Sequence, residues 1–563
     1  MSENSEKNLK RLLEIIPALT AWLALFFPII FSMTWPMTVA IFVLAFDFYW
    51  LLKAILMGVH TYVGYLHIKE DEQIDWLERY HHLKNPEKYL LEIQNKFQKE
   101  FGEKINFFQR IYWRFFKKNQ YQKYHSYLRE INDFSHINSN LLKDMDLDNI
   151  FQVVLLAVYK EGEEVVFPSI DSYVEASWPK ERKILVLALE ERALDHAKKI
   201  ASKVKERYQG KFRNILISFH PDGLPGEIKA KGANVTYAAQ NVLKPFLDKE
   251  KIPYNHVLVS TFDADTRIHP QYFACLAFKY LTTEKREKRS YQPIPIYSNN
   301  IWDTPSITRI IAFGSSFWQM IESTRPYRLV NFSSHAMAFS TLIAIDYWDK
   351  LVVNEDSRQF WRAFFKFDGD HRAIPIFTPV YMDAVLSETF WKTLKSQYKQ
   401  KQRWAYGVEH FSYVVIESIK NKKIPLTKKI EWIVRMFEGY FSWATASIFI
   451  ATAGWIPLLV NPRFRFDLIS LSFPQLVSFI LTISWVGVLG SMYISFKLLP
   501  PPPPRIYSKK EHYILKKIVM VIQWILMPIT GLFFGSLPAL DAQTRLALGK
   551  YLGFHVTEKV RKN

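Results

Sequence analysis

With 563 residues the chain is too long for one ordinary soluble domain, and its single cysteine, Cys275, excludes an intramolecular disulfide and any Cys-rich metal site. Hydrophobic residues make up 49% of the sequence and charged residues 23%, and the two segregate along it, as apolar segments in lipid and a charged domain in water would. A net charge of +19 would suit nucleic acid, anionic headgroups or a phosphate-bearing substrate. No helix-turn-helix, zinc-finger or RNA-binding signature is present, and Lys and Arg crowd the ends of apolar segments, so nucleic acid is set aside and the lipid bilayer is the first expected partner.

Residues 1–66 are expected to form a transmembrane hairpin. Residues 12–32 and 36–57 are dominated by Leu, Ile, Phe, Ala and Trp over the ~20 residues a helix needs to cross a hydrocarbon core. The second apolar stretch follows the first at once, with no small-residue cleavage site, which argues against a signal peptide. Lys7, Lys10 and Arg11 precede the first span, and charge returns from His67 onward. Both flanks are therefore placed in the cytoplasm. Asp47 lies inside the second span, where a carboxylate is either functional or paired within the bundle.

Residues 67–149 read as a helical cytoplasmic connector. Arg79, Lys84, Lys88, Lys96 and Lys99 recur there among Tyr, Trp and Phe; a solvated helical face has this pattern, and so does one laid on a membrane surface. Over 150–423 the texture changes. Short β-branched runs at 153–158, 184–189, 215–219 and 257–262 alternate with helical stretches, the pattern of an α/β domain with a mostly parallel sheet. From 424 to 540 apolar segments return: an interfacial helix at 428–440, then expected spans at 441–460, 474–497 and 517–537. A proline run at 500–504 and the basic cluster Arg505, Lys509, Lys510, Lys516 and Lys517 separate the last two, which marks that loop as cytoplasmic. Residues 541–563 form a tail.

Three motifs carry chemistry. Asp263-Ala264-Asp265 follows the apolar run at 257–262, so two carboxylates project from the end of a buried strand, where they can hold Mg²⁺ or Mn²⁺ together with two phosphate oxygens. A turn or helix cap uses the same pattern, and the surroundings decide between them. Upstream, a Gly/Pro-marked loop at 220–234 carries Lys229 and Lys231 and leads into a helix, offering cations and a helix N-terminus to phosphate. Downstream, Glu355-Asp356 supplies a second acidic pair, and Gln400-Lys-Gln-Arg403-Trp404 lies on a helical stretch. Arg can bind a diphosphate through its planar fork, and Trp offers a flat face to a sugar ring.

In this order, Asp-x-Asp, Glu-Asp and Gln-x-x-Arg-Trp resemble the inverting family 2 glycosyltransferases, whose membrane-bound members include the cellulose, chitin and hyaluronan synthases. The resemblance covers roughly 150–410. It implies a GT-A-type, Rossmann-like mixed sheet at 150–423, between the N- and C-terminal membrane helices. It also implies a nucleotide-sugar donor, a UDP-sugar first, and a growing glycan or lipid-linked acceptor. Residue by residue, it makes Asp263 and Asp265 metal and diphosphate positions, and Asp356 the general base with Glu355 beside it. Gln400 and Arg403 become diphosphate contacts, and Trp404 an acceptor contact. Lys231 and Asn234 match the Lys-x-x-Asn loop of the donor site, and Ser334 and His335 lie in the acceptor-facing segment. Tyr159 and Glu161 match the turn after the first strand, although Lys160 replaces its usual Asn. Glu190 stands where a nucleobase-contacting Asp is usual, and these two departures leave donor identity open.

Residues 554–559, Phe-His-Val-Thr-Glu-Lys, match the Phe-x-Val-Thr-x-Lys gating loop of cellulose synthases, which would bring Thr557 to the diphosphate. Three spans after the catalytic domain would put this tail outside, whereas Lys550, Lys559, Arg561 and Lys562 favour the cytoplasm; Pro528, Gly531 and Gly535 would let 517–537 bend back without crossing. The expectation is therefore a multi-pass protein of the inner or plasma membrane whose catalytic domain is cytoplasmic and which makes a β-linked polysaccharide. The alternatives are transfer of one sugar to a lipid-linked acceptor, and a non-catalytic transporter or scaffold.

Overall fold

The computed structural model describes residues 2–102, 105–466, 468–504, 510–553 and 561. Thr557 lies outside the described residues, as do Lys559 and Lys562.

The chain opens with two long helices, Glu3–Ser32 and Pro36–Asp71. Ser2 caps the first by accepting the Ser5 N–H, and Pro36 begins the second, where its missing N–H costs no hydrogen bond. Among the described residues three helices are long and apolar enough to cross a membrane: these two and Tyr513–Ala547. The stretch 428–440 and the apolar segment after it run as one helix, Leu426–Thr452, and Leu468–Lys497 is a further 30-residue helix that packs along Pro36–Asp71. The first and last helices are tied together. The Arg11 guanidinium donates to the Leu546 carbonyl at 2.7 Å and to the Ala547 carbonyl, while Tyr551 donates to Glu14 at 3.1 Å.

Between the long apolar helices, the described residues form an eight-stranded mixed sheet in the order β3-β2-β1-β4-β7-β6-β8-β5. Strands β1 (Phe151–Ala157), β2 (Lys183–Glu190), β3 (Asn214–His220) and β4 (Val257–Asp263) form its parallel half. β5 is Arg267–Ile268, β6 Arg289–Tyr297, β7 Ala336–Ala338 and β8 Arg372–Met382, with β7 antiparallel between β4 and β6. Side chains alternate across the pleat: Val154, Leu156, Leu185 and Leu187 enter one core, Val153, Leu155, Ile184 and Val186 the other. With both faces covered, the parallel strands read as continuous apolar runs. The fold is the expected α/β, GT-A-type mixed sheet set between apolar helices.

Register fixes where chemistry can occur. Ala157 pairs with Asp263 and Glu190 with His220, so the first four strands end on one edge. The chain order reverses between β1 and β4, which opens a crevice at that edge.

Candidate active site

Asp263 ends β4, and the helix Lys231–Ala238 aims its first residue at it. Lys231 Nζ lies 2.6 Å from Asp263 Oδ1, 3.7 Å from Glu355 Oε1 and 3.8 Å from Asp356 Oδ1. Burial alone would lower this ammonium, but Asp263, Asp356 and Glu355 hold it above its usual value. The approach depends on Gly232, where a Cβ would sit 2.5 Å from the Asp349 carbonyl oxygen and 3.0 Å from Glu355 Cβ. Ser333 donates to Asp263 Oδ2 at 2.8 Å. Asp265 is fully buried and accepts the Asp383 N–H at 2.7 Å. Arg561 in turn grips the Asp383 carboxylate, with Nη2 at 2.7 Å and Nε at 3.3 Å.

Glu355 and Asp356 begin the helix Glu355–Lys366, where the helix dipole favours acids. Asn354 locks this start in place: its Nδ2 donates to the Arg403 carbonyl at 2.9 Å, and its own carbonyl faces His410 Nε2 at 3.1 Å. Burial, then the charge of Asp356, pushes Glu355 up, so it holds a proton more readily than an ordinary glutamate. Asp356 Oδ1 is buried without a hydrogen bond among the described residues, 3.5 Å from His335 Nδ1. The His335 ring faces the Phe332 carbonyl at 3.1 Å through the same nitrogen, and burial lowers its pKa, favouring the neutral ring. Ser334 adopts a left-handed backbone, φ +70, a conformation a non-glycine residue adopts at a cost. It turns segment 332–335 so that Ser333 reaches Asp263 and His335 reaches Asp356. Its own side chain points inward to Thr266 and Met382.

Gln400, Arg403 and Trp404 share one face of the helix Phe390–Ala405 by their i, i+3, i+4 spacing. Arg403 feels Glu355, Asp263 and Asp356, although burial lowers it overall. The Trp404 ring meets Phe332 edge-on at 5.6 Å and lies 6.0 Å from Tyr297. Gln400 accepts from Gln397 at 3.1 Å. On the same helix, Lys401 donates to Ser315 at 2.8 Å and lies 4.4 Å over the Trp404 ring; burial pulls it down to about 7. Gln402 and Tyr398 seat the helix on Asp541 of the last helix.

A second group gathers at the ends of β1 to β3. Tyr159 N–H donates to Glu161 Oε2 at 2.8 Å, and Arg192 covers the Tyr159 ring at 4.6 Å while donating to Glu190 at 2.5 Å through Nε. Glu190, Arg192, His220, Asp222 and Gly223 line a pocket here, closed by a 2.7 Å bond between His220 and Glu227. Asn234 takes a different place: its Nδ2 donates to the Ala188 carbonyl of β2 at 3.0 Å and ties helix to sheet.

The structure thus brings Asp263, Asp265, Lys231, Glu355, Asp356, His335 and Arg403 into one cluster, with Trp404 at its side and Tyr159, Glu161 and Glu190 at the neighbouring strand ends. Sequence reasoning assigned no role to Ser333, Asp383, Arg192 or Arg561. Arg192 adjoins the Glu190-Glu191 pair and Ser333 lies in the acceptor-facing segment beside Ser334 and His335, so these two carried a local signal. Among the described residues no three His, Cys, Asp or Glu side chains converge as a metal cage. The donor set nevertheless fits a hard divalent cation, because such an ion takes one or two carboxylates and fills its shell with phosphate oxygens and water. Asp263 and Asp265 would supply those carboxylates, with Glu355, Asp356 and Asp383 as further acids nearby.

Residues 258–498 match the profile of glycosyl transferase family group 2. No curated protein matches the chain. Similar solved structures include the mannosyltransferase PcManGT from Pyrobaculum calidifontis in complex with GDP-Man and Mn²⁺, at 12% identity and a TM-score of 0.35, covering 70% of this chain and 86% of that one. Residues 1–349 of S. aureus TarS in complex with UDP-GlcNAc are 11% identical with a TM-score of 0.33, covering 71% and 93%.

Proposed function

We propose that this chain, of which residues 258–498 match glycosyl transferase family group 2, is an inverting, metal-dependent glycosyltransferase that uses a nucleotide sugar, a UDP-sugar first, to build a β-linked polysaccharide at the membrane. The observation that carries the reading is the buried Asp356 Oδ1, within 4 Å of Lys231 and His335 yet without a hydrogen bond among the described residues. An acceptor hydroxyl would complete it.

In this mechanism Asp356 takes the proton of the acceptor hydroxyl as that oxygen attacks the anomeric carbon, opposite the departing diphosphate. Inversion of an α-linked donor gives the β-linkage. Lys231 and Arg403 set positive charge against the diphosphate, and His335, neutral and packed on Asp356, fixes the direction from which the base works. Asp263 and Asp265 would hold Mg²⁺ or Mn²⁺, which when bound stabilises the leaving diphosphate as a Lewis acid. Trp404 presents its face to the acceptor sugar, and the pocket around Glu190 and Arg192 takes the nucleobase. The three long apolar helices support a multi-pass protein of the inner or plasma membrane with its catalytic domain in the cytoplasm. Arg561 on Asp383 supports a tail on the catalytic side, the side on which Thr557 would act as a gate.

The test is Asp356→Asn in purified protein. Transfer from a labelled nucleotide sugar should stop while nucleotide binding persists, and wild-type turnover would refute the role of base. Product length from the wild type separates polymer synthesis from transfer of one sugar to a lipid-linked acceptor. Absence of nucleotide release with every donor, with or without EDTA, would favour a non-catalytic scaffold.

A further inference from the structure

The helices Phe390–Ala405 and Glu409–Lys420 are joined by a single turn, Tyr406–Val408, so Arg403 and His410 come from one short stretch of chain. Both hold Asn354, the residue before the acidic pair. Its side-chain Nδ2 donates to the Arg403 carbonyl at 2.9 Å, and its own carbonyl accepts from His410 Nε2 at 3.1 Å. His410 Nε2 also lies 3.0 Å from Ser357 Oγ, just after the pair. Beside it, Glu409 accepts the Val353 N–H. The joint is tight at Gly407, where a Cβ would stand 3.0 Å from the Tyr440 hydroxyl and 3.5 Å from Asn354 Nδ2.

The partners of the His410 ring place its proton. A carbonyl oxygen only accepts, so Nε2 carries the hydrogen. Burial, then the charge of Arg358, holds the ring well below its ordinary pKa, which leaves it neutral with Nδ1 bare. His410 is fully buried, and Nδ1 has no hydrogen bond among the described residues. An unpaired buried acceptor costs stability, and an apolar side chain would avoid that cost. The helix start does not need His410 to satisfy it either. The Asn354 carbonyl also accepts the Arg358 N–H at 3.2 Å and the Ser357 hydroxyl at 3.4 Å. What the ring adds is a further, rigidly held donor that ties the turn bearing Glu355 and Asp356 to the chain bearing Arg403.

We propose that His410 is a positioning residue: by gripping the Asn354 carbonyl it fixes Asp356 relative to Arg403, so that proton removal and stabilisation of the leaving diphosphate act on the same bound substrates. It works through Asn354 and not on substrate. The inference rests on the reading of Asp356 as the base.

Three variants of the full chain separate the donor from the bulk of the ring. The Gln amide nitrogen stands about where imidazole Nε2 does and the Asn amide nitrogen about where Nδ1 does, so only His410→Gln still reaches the Asn354 carbonyl. His410→Leu has no donor and no unpaired nitrogen, and should fold at least as well as His410→Asn. Each is assayed at the same interval below its own melting temperature, with the labelled nucleotide sugar that the wild type turns over fastest in a panel of UDP- and GDP-sugars. His410→Asn and His410→Leu should lose kcat by ~10²-fold, the scale of a misplacement of ~1 Å. Their KM for the donor, and the nucleoside diphosphate bound per chain, should stay within about twofold of wild type. His410→Gln should recover most of kcat. Equal kcat in all three variants makes the ring a packing element and overturns the inference, as does a loss that appears only in donor KM. Wild-type turnover by Asp356→Asn, measured alongside, refutes the base and the inference with it. Loss of turnover in Asp356→Asn with none in His410→Leu refutes the positioning role alone.

Discussion

The Lys231 ammonium lies 2.6 Å from Asp263 and within 4 Å of both Glu355 and Asp356, so one cation serves the strand-end acid and the acidic pair together. Removing it leaves three carboxylates crowded in a buried site, where like charges repel strongly. Lys231→Met should lower kcat/KM by ~10²-fold or more, equivalent to ~2.7 kcal/mol of transition-state stabilisation. Lys231→Arg should recover little of this, because the wider guanidinium cannot occupy the same point. Steady-state kinetics of the two variants check the assignment.

Gly232→Ala tests the close approach on which that geometry depends. The new methyl would lie 2.5 Å from the Asp349 carbonyl oxygen, and backbone cannot swing aside as a flexible side chain can. The variant should be less stable by ~1–3 kcal/mol and should also lose transfer activity, since relief of the clash pulls Lys231 away from Asp263. A melting curve together with a donor-turnover assay reads both effects.

Arg561 acts on Asp265 at one remove, through Asp383. Arg561→Gln removes a cation that holds the Asp383 carboxylate and so loosens, through the Asp383 N–H, the placement of Asp265. The Mn²⁺ concentration for half-maximal activity should rise several-fold, with kcat at saturating metal changing less. An unchanged metal titration would show that the Arg561 pair is independent of Asp265.

Lys401 predicts a pH signature in stability. Burial lowers it from its ordinary 10.5 to about 7, so between those values the unfolded chain binds a proton that the folded chain does not. The penalty is therefore complete below about pH 7 and fades as pH rises toward 10.5. Lys401→Met should melt higher than wild type at pH 6.5, and the gap should close by about pH 10. A gain that stays constant with pH would place the cause elsewhere.

Much of this was readable from local pattern. β-branched runs followed by acids identify strands that end at a crevice, and Gln400, Arg403 and Trp404 reach one face through helical spacing alone. The unread parts depend on chain reversal. Ser333 and His335 reach the acids because β7 enters antiparallel beside β4 and because Ser334 adopts a left-handed turn, neither of which has a compositional mark. Asp383 lies at the end of β8, beyond β4 by three places in the sheet, and Arg561 comes from the far end of the chain. Asn234 shows a different limit: a polar residue near a phosphate-type loop can as well serve the sheet behind it. The change from charged to apolar residues near 440 marks a change of environment, while the backbone of Leu426–Thr452 continues through it.

The contacts of Arg11 with the Leu546 and Ala547 carbonyls, and of Gln402 with Asp541, set an order of assembly. The helix bearing Gln400, Arg403 and Trp404 finds its polar seat on a segment made more than a hundred residues later, and that segment is itself fastened to the first helix of the chain. Throughout synthesis the sheet can form while the helix Phe390–Ala405 still lacks that support. The enzyme would thus stay silent while it is being made, and switch on only when its two ends have met.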